Sequence, residues 1–246
     1  MSRLSNKICA IIPTFNNGGT VANVVRRTHR FIDDIIVVVD GSTDNTLEQL
    51  TSLGFVITIV FYTKNRGKGY ALKQGFSKAR SMGFDYVLTL DADGQHYPEN
   101  IPLLMKRSKY NSGCIVLGSR VLVQDNMPRK NTFANRFSNF WFTVQTGVRL
   151  PDTQTGMRIY PLYKMRHTAL LTDRYEAELE LLVFMSWAGT KIIPVPIDVY
   201  YPPKSERISH FKPFRDFTRI SILNTFLCLL AIVYGWPRII LRKIIR

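Results

Sequence analysis

Acidic side chains and cysteines are the scarce residues of this chain. Eighteen Asp and Glu stand against 33 Lys and Arg, a formal net charge of +15 over 246 residues. Such an excess calls for an anionic partner: nucleic acid, anionic lipid or a phosphorylated ligand. The three cysteines, Cys9, Cys114 and Cys228, lie far apart and form no CxxC pair. That spacing excludes a zinc finger and a disulfide framework, and it fits buried thiols in a reducing compartment. No GxGxxG and no P-loop pattern occurs, so two common glycine-rich phosphate cradles are absent. Internal repeats, low-complexity tracts and a signal-peptide pattern are also missing, since Met1 to Lys7 lead straight into an apolar run. Apolar residues, in contrast, make up 46% of the chain. That is ample for one large domain, or for a domain with an appendage.

The apolar residues come in short runs, each closed by a polar cluster. Ile8 to Ile12 end at Pro13-Thr14-Phe15-Asn16-Asn17, and Ile35 to Val39 end at Asp40-Gly41-Ser42-Thr43-Asp44. Phe55 to Phe61 form a third run, followed by Asn65-Arg66-Gly67-Lys68-Gly69. Asp85 to Leu90 stop at Asp91-Ala92-Asp93-Gly94-Gln95, and Cys114 to Leu117 stop at Gly118-Ser119-Arg120. Helical patterns separate these runs, one through Val21, Val24, Val25 and Phe31, another through Ala71, Leu72 and Phe76. Strands alternating with helices at this spacing predict an α/β fold, a mostly parallel sheet with helices on both faces. Ligands then bind beyond the carboxyl ends of the strands. One cluster of this kind is a turn; four at one end of a sheet, those beginning at Pro13, Asp40, Asp91 and Gly118, are a site.

Asp91, Asp93 and Gln95 are the centre of that expectation. Two carboxylates and an amide oxygen suit a hard divalent cation, Mg or Mn, better than zinc or copper. Beyond Arg120 the pattern changes. A basic loop (Gln124 to Asn131) precedes an aromatic helix from Phe133 to Val144. Then follow Asp152-Thr153-Gln154-Thr155-Gly156-Met157-Arg158, an acidic helix from about Tyr175 to Trp187, and a last strand from Ile192 to Tyr200. Pro202-Pro203 divide the chain into residues 1–203 and a basic segment, 204–246, with nine Lys/Arg against two acids. Within that segment Ile220 to Pro237 carry no charge over 18 residues, near the roughly 20 that cross a bilayer. Basic residues interleaved with Phe, Ile and Leu favour a membrane surface over nucleic acid. The preferred reading is a helix lying in the membrane interface; a span, a hairpin or a helix packed on the domain are the alternatives. A nucleic-acid-binding module would show recognition helices with clustered Arg, and none is present.

In this order and spacing the clusters resemble the family 2 glycosyltransferases of the GT-A (Rossmann-like, nucleotide-sugar-binding) fold, and within them the polyprenyl-phosphate (dolichol-phosphate mannose synthase-like) branch. The likeness runs from Ile8 to about Arg219. It implies a metal-dependent, inverting transfer of a sugar from a nucleotide-sugar, GDP-mannose or a UDP-hexose, to a membrane-borne polyprenyl phosphate at the cytoplasmic face. Pro13, Thr14 and Phe15 would line the base pocket, Asp40 would hold base or ribose, and Lys68 would join the donor contacts. Asp91 and Asp93 resemble the DxD pair, with Gln95 as third ligand to Mg or Mn. Arg120 corresponds to an arginine near the acceptor phosphate, with Arg136 and Ser138 beside it. Asp152 to Arg158 resemble a D-x-x-(S/T)-G-(F/M)-R element. Arg207, Ser209, His210 and Lys212 resemble a loop that closes over the donor pyrophosphate. Two positions depart from the pattern: Asn17 stands where the branch commonly has Glu, and Val39 where it has a first Asp.

The chemistry also follows from the residues. Departure of a nucleoside diphosphate develops charge, which a metal on Asp91, Asp93 and Gln95 neutralises and Arg207 and Lys212 can hydrogen-bond. A phosphate acceptor, with its second pKa near about 6, needs cations rather than a base. A lipid or glycan hydroxyl would need a general base. Glu178 is then the candidate ahead of Glu176, unless the two are a solvated acid pair at a helix N-terminus. His96 reads as a neighbour of the site rather than a ligand, and His29 and His167 as structural. Phe133, Phe137, Phe140, Trp141 and Phe142 read as core, with a lipid-tail groove as the alternative.

Overall fold

The computed structural model describes residues 7–120, 129–166, 168, 170–201 and 213–245, with side chains from 134 onward in the fifth helix and from 218 onward in the seventh. Strands and helices alternate through the first half: β1 (Ile8–Thr14), α1 (Val21–His29), β2 (Ile35–Asp40), α2 (Thr46–Thr51), β3 (Thr58–Tyr62), α3 (Lys68–Ser81), β4 (Tyr86–Thr89), α4 (Ile101–Tyr110) and β5 (Ile115–Arg120). Then come α5 (Arg129–Thr146), β6 (Arg158–Pro161), α6 (Glu176–Trp187), β7 (Ile192–Ile197), α7 (Pro213–Leu230), a π-helical turn (Ala231–Gly235) and α8 (Trp236–Ile244).

The seven strands form one sheet in the order β3-β2-β1-β4-β6-β5-β7. All pairs are parallel except those of β6, which runs antiparallel to both β4 and β5. β1 to β3 step outward one way, and β4 then falls on the other side of β1. That reversal opens a crevice at the carboxyl ends, where Thr14, Asp40 and Thr89 end their strands. β6 was not anticipated from the sequence. It has four residues, Arg-Ile-Tyr-Pro, and begins on a charge, so no apolar run or alternation marks it.

Alternate residues of each strand feed two cores. Ile11, Ile36 and Val38 pack under α3, α5 and α6 through Leu72, Phe76, Phe142, Leu181 and Trp187. Ile12, Val37 and Val39 pack under α1, α2 and α4 through Val21, Val24, Leu50, Ile101 and Leu104. Two glycines set how closely α3 approaches its neighbours. A Cβ on Gly75 would lie 2.6 Å from Ile11 Cγ2, and one on Gly69 would lie 2.4 Å from the Ala177 Cβ of α6. The first turns of α3 and α6 therefore touch, and that contact brings together two charged residues far apart in sequence.

Candidate active site

Three loops at the sheet edge are laced together by their own polar groups. The Asn16 amide donates to Ser42 Oγ at 3.0 Å, and Asn16 Oδ1 accepts from the Thr43 amide at 2.8 Å. Asn16 does so in a left-handed conformation, φ 51°, which Asn tolerates better than most residues. The Asn17 amide donates to Thr46 Oγ1 at 3.0 Å and the Gly18 amide to Asp44 Oδ2 at 2.9 Å. Asp40 is buried, and its two oxygens accept the Arg66 and Gly67 amides at 2.7 and 2.8 Å. It fastens the turn that precedes Lys68. Pro13 and Thr14 are buried at the end of β1, and Phe15 is half-buried.

Lys68, Asp91 and Glu178 meet below these loops. The Lys68 ammonium lies 2.6 Å from Asp91 Oδ1 and 2.7 Å from Glu178 Oε2. Burial opposes the charge on Lys68, but the two carboxylates outweigh it and raise its pKa. Burial likewise works against ionised Asp91, and Lys68 outweighs it, so Asp91 titrates below the usual carboxylate range. Asp93 is different. Burial, with Asp91 adding to it, pushes its pKa up to about 6. Its Oδ1 accepts the Gln95 amide at 2.9 Å across Gly94, whose φ is +77°. His96 is buried beside them, with Nε2 3.1 Å from Thr155 Oγ1 and an unpartnered Nδ1 3.9 Å from Asp91 Oδ2. Burial lowers its pKa to about 4, so the ring is neutral near pH 7.

This donor set fits a hard cation. One carboxylate, Asp93, has its pKa raised by burial and by Asp91, and a carboxamide, Gln95, follows two residues on. Among the described residues no three His, Cys, Asp or Glu side chains converge as metal ligands. A cation bound here would rest on two carboxylates and on amide or water oxygen, as magnesium and manganese accept.

Arg120 ends β5 in a second cluster. Its Nε and Nη2 donate to Asp152 Oδ2 and Oδ1 at 2.7 and 3.0 Å, and its backbone amide donates to Oδ2 at 3.2 Å. Asn135 Nδ2 and the Gln154 amide reach Oδ1 at 2.5 and 3.0 Å. Burial raises the pKa of Asp152 less than Arg120 and these hydrogen bonds lower it, and the net shift is downward. Ser138, one turn beyond Asn135 on α5, pairs with Thr153 Oγ1 at 2.8 Å. Arg136, on the same helix, is exposed.

Arg158 sits beneath both clusters with no exposure to solvent. Among the described residues no carboxylate pairs with it. Four oxygens hold its guanidinium instead: Thr155 O at 2.6 Å, Tyr160 Oη and Glu178 O at 2.9 Å, and Thr153 O at 3.0 Å. It ties the 153–155 loop to the first turn of α6.

The fold brings Lys68, Asp91, Asp93, Gln95 and Glu178 to one place, and Arg120 and Ser138 to another around Asp152. Arg207 and Lys212 lie outside the described residues, as do Ser209, His210 and His167. Glu176 and Glu178 are both buried, which corrects the solvated-pair alternative. The reason is α6 itself: it is apolar all round after its first turn, so its acids go inside with it. Glu180 is fully buried too and accepts the Leu171 and Thr172 amides at 2.6 and 2.9 Å. Sequence reasoning named the 152–158 element without separating Asp152 as the partner of Arg120 or Arg158 as a carbonyl-held cation, and it passed over Asn135. Three acids within five residues of an apolar helix were the available signal for α6.

Comparison with known proteins fits this geometry. The model of glycosyl transferase family 2 matches residues 9–168. A UDP-N-acetylglucosamine–dolichyl-phosphate N-acetylglucosaminyltransferase from Methanococcus voltae is 30% identical over 216 residues, covering 79% of this chain and 86% of its own. An undecaprenyl-phosphate 4-deoxy-4-formamido-L-arabinose transferase from Serratia proteamaculans is 32% identical over 173 residues, 65% of this chain and 51% of its own. Among solved structures, a glucosyl-3-phosphoglycerate synthase from Mycobacterium tuberculosis with Mn2+, UDP and glucosyl-3-phosphoglycerate superposes with a TM-score of 0.67. It covers 92% of this chain and 80% of its own at 17% identity, a likeness of fold.

Proposed function

Because the chain belongs to glycosyl transferase family 2, we propose that it transfers a sugar from a nucleotide-sugar to a polyprenyl phosphate, with Mg or Mn and with inversion. Two relatives named for polyprenyl-phosphate acceptors support the acceptor class. The observation that carries it is the ion pair of Glu178 with Lys68, 2.7 Å. That contact engages Glu178 Oε2 with Lys68, which also holds Asp91, so the carboxylate a hydroxyl acceptor would need as its base is already occupied. A phosphate monoester needs no such base, because its oxygen is already ionised near neutrality.

In this reading Asp91, Asp93 and Gln95 hold the metal, which when bound neutralises the departing diphosphate as a Lewis acid. Lys68 keeps Asp91 and Glu178 together although both are anionic, and so fixes Asp91 before the donor arrives. Pro13, Thr14, Phe15 and Asp40 form the nucleotide side: Phe15 is the member with an accessible face, and Asp40 shapes it through the 65–67 turn. Arg207 and Lys212 close on the diphosphate. Arg120 presents its remaining Nη1 edge to the acceptor phosphate, aided by Arg136 and by Ser138. The reaction takes place at the cytoplasmic face of a membrane, where nucleotide-sugars are made.

A screen of GDP- and UDP-sugars against polyprenyl phosphate, followed by nucleoside diphosphate release with Mn or Mg, tests the reading. Release with one donor, product on the phosphate and none on the matching polyprenol are expected. Glu178→Gln should keep turnover within about tenfold. Transfer to polyprenol, lost completely in Glu178→Gln with donor binding intact, would move the acceptor to the hydroxyl class.

A further inference from the structure

The segment Thr218–Ile244 is 27 residues long and holds a stretch with a mean hydropathy of 1.7, enough to cross a membrane by length and composition. Its packing argues for another arrangement. On one side Leu223, Asn224, Leu227 and Ala231 are buried against α5 and α6. Gln145 Nε2 of α5 donates to Asn224 Oδ1 at 3.0 Å, and Trp187 Nε1 of α6 donates to Gln145 O at 2.8 Å. Gly235 lies flat on the Trp187 ring, where a Cβ would come within 2.4 Å. Farther on, Trp236 Nε1 donates to Val144 O at 3.2 Å, and Arg242 lies over Gly189, at the end of α6. Contact with the domain thus runs from residue 223 to residue 242, about 29 Å of helix at 1.5 Å per residue.

The opposite side is bare. Ile222, Phe226, Leu229, Val233, Trp236, Ile240 and Ile244 are all exposed. Their spacing of three and four residues draws one stripe along the whole segment. Tyr234 and Trp236 stand at its edge and also touch the domain, Tyr234 edge-on to the Trp187 ring at 6.0 Å between centroids and Trp236 through Val144 O. Arg238 lies over the Tyr234 ring, 5.3 Å from its centroid. After Asp216 the chain has no acid, while Arg219, Arg238, Arg242, Lys243 and Arg246 follow.

We propose that this stripe lies in the plane of an anionic bilayer, half sunk in it, and that the segment does not cross. A hydrocarbon core is about 30 Å thick. A crossing helix in contact with α5 and α6 over nearly that distance would pull those helices, and the ends of their polar loops, into lipid. Lying flat, the helix buries its apolar stripe, puts Tyr and Trp at the headgroup level where they concentrate, and sets its cations against anionic headgroups. α5 then joins the membrane to the site: Gln145 clasps the flat helix, and Asn135 touches Asp152 ten residues away, about 15 Å along the axis. The proposal deepens the polyprenyl-phosphate reading and rests on it for the position of the acceptor, whose headgroup would reach Arg120 without leaving the bilayer.

Vesicle flotation of the full chain tests docking without any acceptor present. Phosphatidylcholine vesicles with about a third phosphatidylglycerol are expected to carry the protein up, and vesicles of phosphatidylcholine alone to carry at least tenfold less. The pair Leu229→Asp and Val233→Asp, on exposed positions, should cut binding at least tenfold with an unchanged melting temperature. A protease-cleavable tag placed after Arg246 reports the geometry: with protease added on the side of the catalytic domain it should be cut completely. Protection of the tag would show a span and overturn the proposal. So would absence of flotation, or a dimer in sedimentation that the double variant dissolves while vesicle binding is nil. Flotation with no sugar transfer to polyprenyl phosphate in any donor screen would leave docking standing and remove the polyprenyl-phosphate reading instead.

Discussion

Two carboxylate clusters face the same crevice from β4 and β5, and they are built in opposite ways. Asp152 is fully buried but closed: a bidentate guanidinium, an asparagine amide and two backbone amides occupy it. Asp91 and Asp93 are open. Asp91 shares a single ammonium with Glu178, and Asp93, raised to about 6, receives one backbone amide. Closed clusters hold a fold, whereas open ones hold a ligand, because an uncompensated buried charge is costly until something binds it. Arg120 belongs to the closed side, so all it could offer an acceptor is one free edge of a guanidinium already neutralised. Asp93 belongs to the open side.

The sharpest way to break this contrast is at Asp93. Asp93→Asn should lower metal-dependent transfer by about 10³-fold or more, the scale of losing a principal electrostatic contact of the reacting groups. It should also abolish the rise in melting temperature that Mn gives the parent. Wild-type rates in a chelator-controlled assay would remove Asp93 from the metal site. Without metal the same substitution should stabilise. A pKa raised from 3.8 to about 6 means that the ionised form destabilises the native state above the folded pKa, by about 1–3 kcal/mol near pH 7.

The closed cluster predicts the reverse. Arg120→Met strands Asp152 in the interior and should cost about 3–5 kcal/mol. Adding Asp152→Asn should recover much of that in a double-mutant cycle. Equal destabilisation of single and double variants would mean that the pair does not act as a unit. The pH dependence of the metal-free chain separates the clusters further. Asp93 contributes a loss of stability as pH rises through about 4 to 6, since the folded form binds the extra proton. Asp152, whose pKa is depressed, contributes a loss only as pH falls below the ordinary carboxylate range. Urea midpoints at pH 4.5 and 7, with and without Asp93→Asn, should show the first slope vanish in the variant.

The open cluster was legible in the sequence, and the closed one only as a motif. Asp91, Asp93 and Gln95 sit directly after an apolar strand, so strand-end logic puts them at the crevice. Lys68 was placed with the donor, yet its pairing with Glu178 depends on Gly69 letting α3 touch Ala177, a contact across more than a hundred residues that no local pattern encodes. β6 escaped because Arg158 opens it, and that arginine is buried on carbonyls rather than on an acid. Sequence reading expects a buried arginine to have a carboxylate partner. The acids of α6 invited a solvated reading because charge at a helix N-terminus is ordinary; only the apolar remainder of that helix argues for burial. The flat C-terminal helix was favoured from composition, but composition alone could not choose between lying and crossing. The clasp of Gln145 on Asn224 favours lying.

Arg136 tests the weakest part of the contrast. It lies on α5 between Asn135, which reaches Asp152, and Ser138, which reaches Thr153, yet its own side chain is exposed. If the closed cluster leaves the acceptor phosphate short of positive charge, an exposed cation one helical position from it is where the remainder comes from. An exposed charge pair is worth about 0.2–1 kcal/mol in water and more once a lipid headgroup displaces solvent. Arg136→Ala should therefore raise KM for the lipid acceptor several-fold, by less than about tenfold. KM for the nucleotide-sugar, kcat and the melting temperature should stay unchanged. Raising the salt should narrow the difference between parent and variant, because a solvated cation is screened and a buried pair such as Arg120–Asp152 is not. A variant whose donor KM moved with its acceptor KM would put Arg136 in the donor half, and the division between an open donor cluster and a closed acceptor cluster would have to be redrawn.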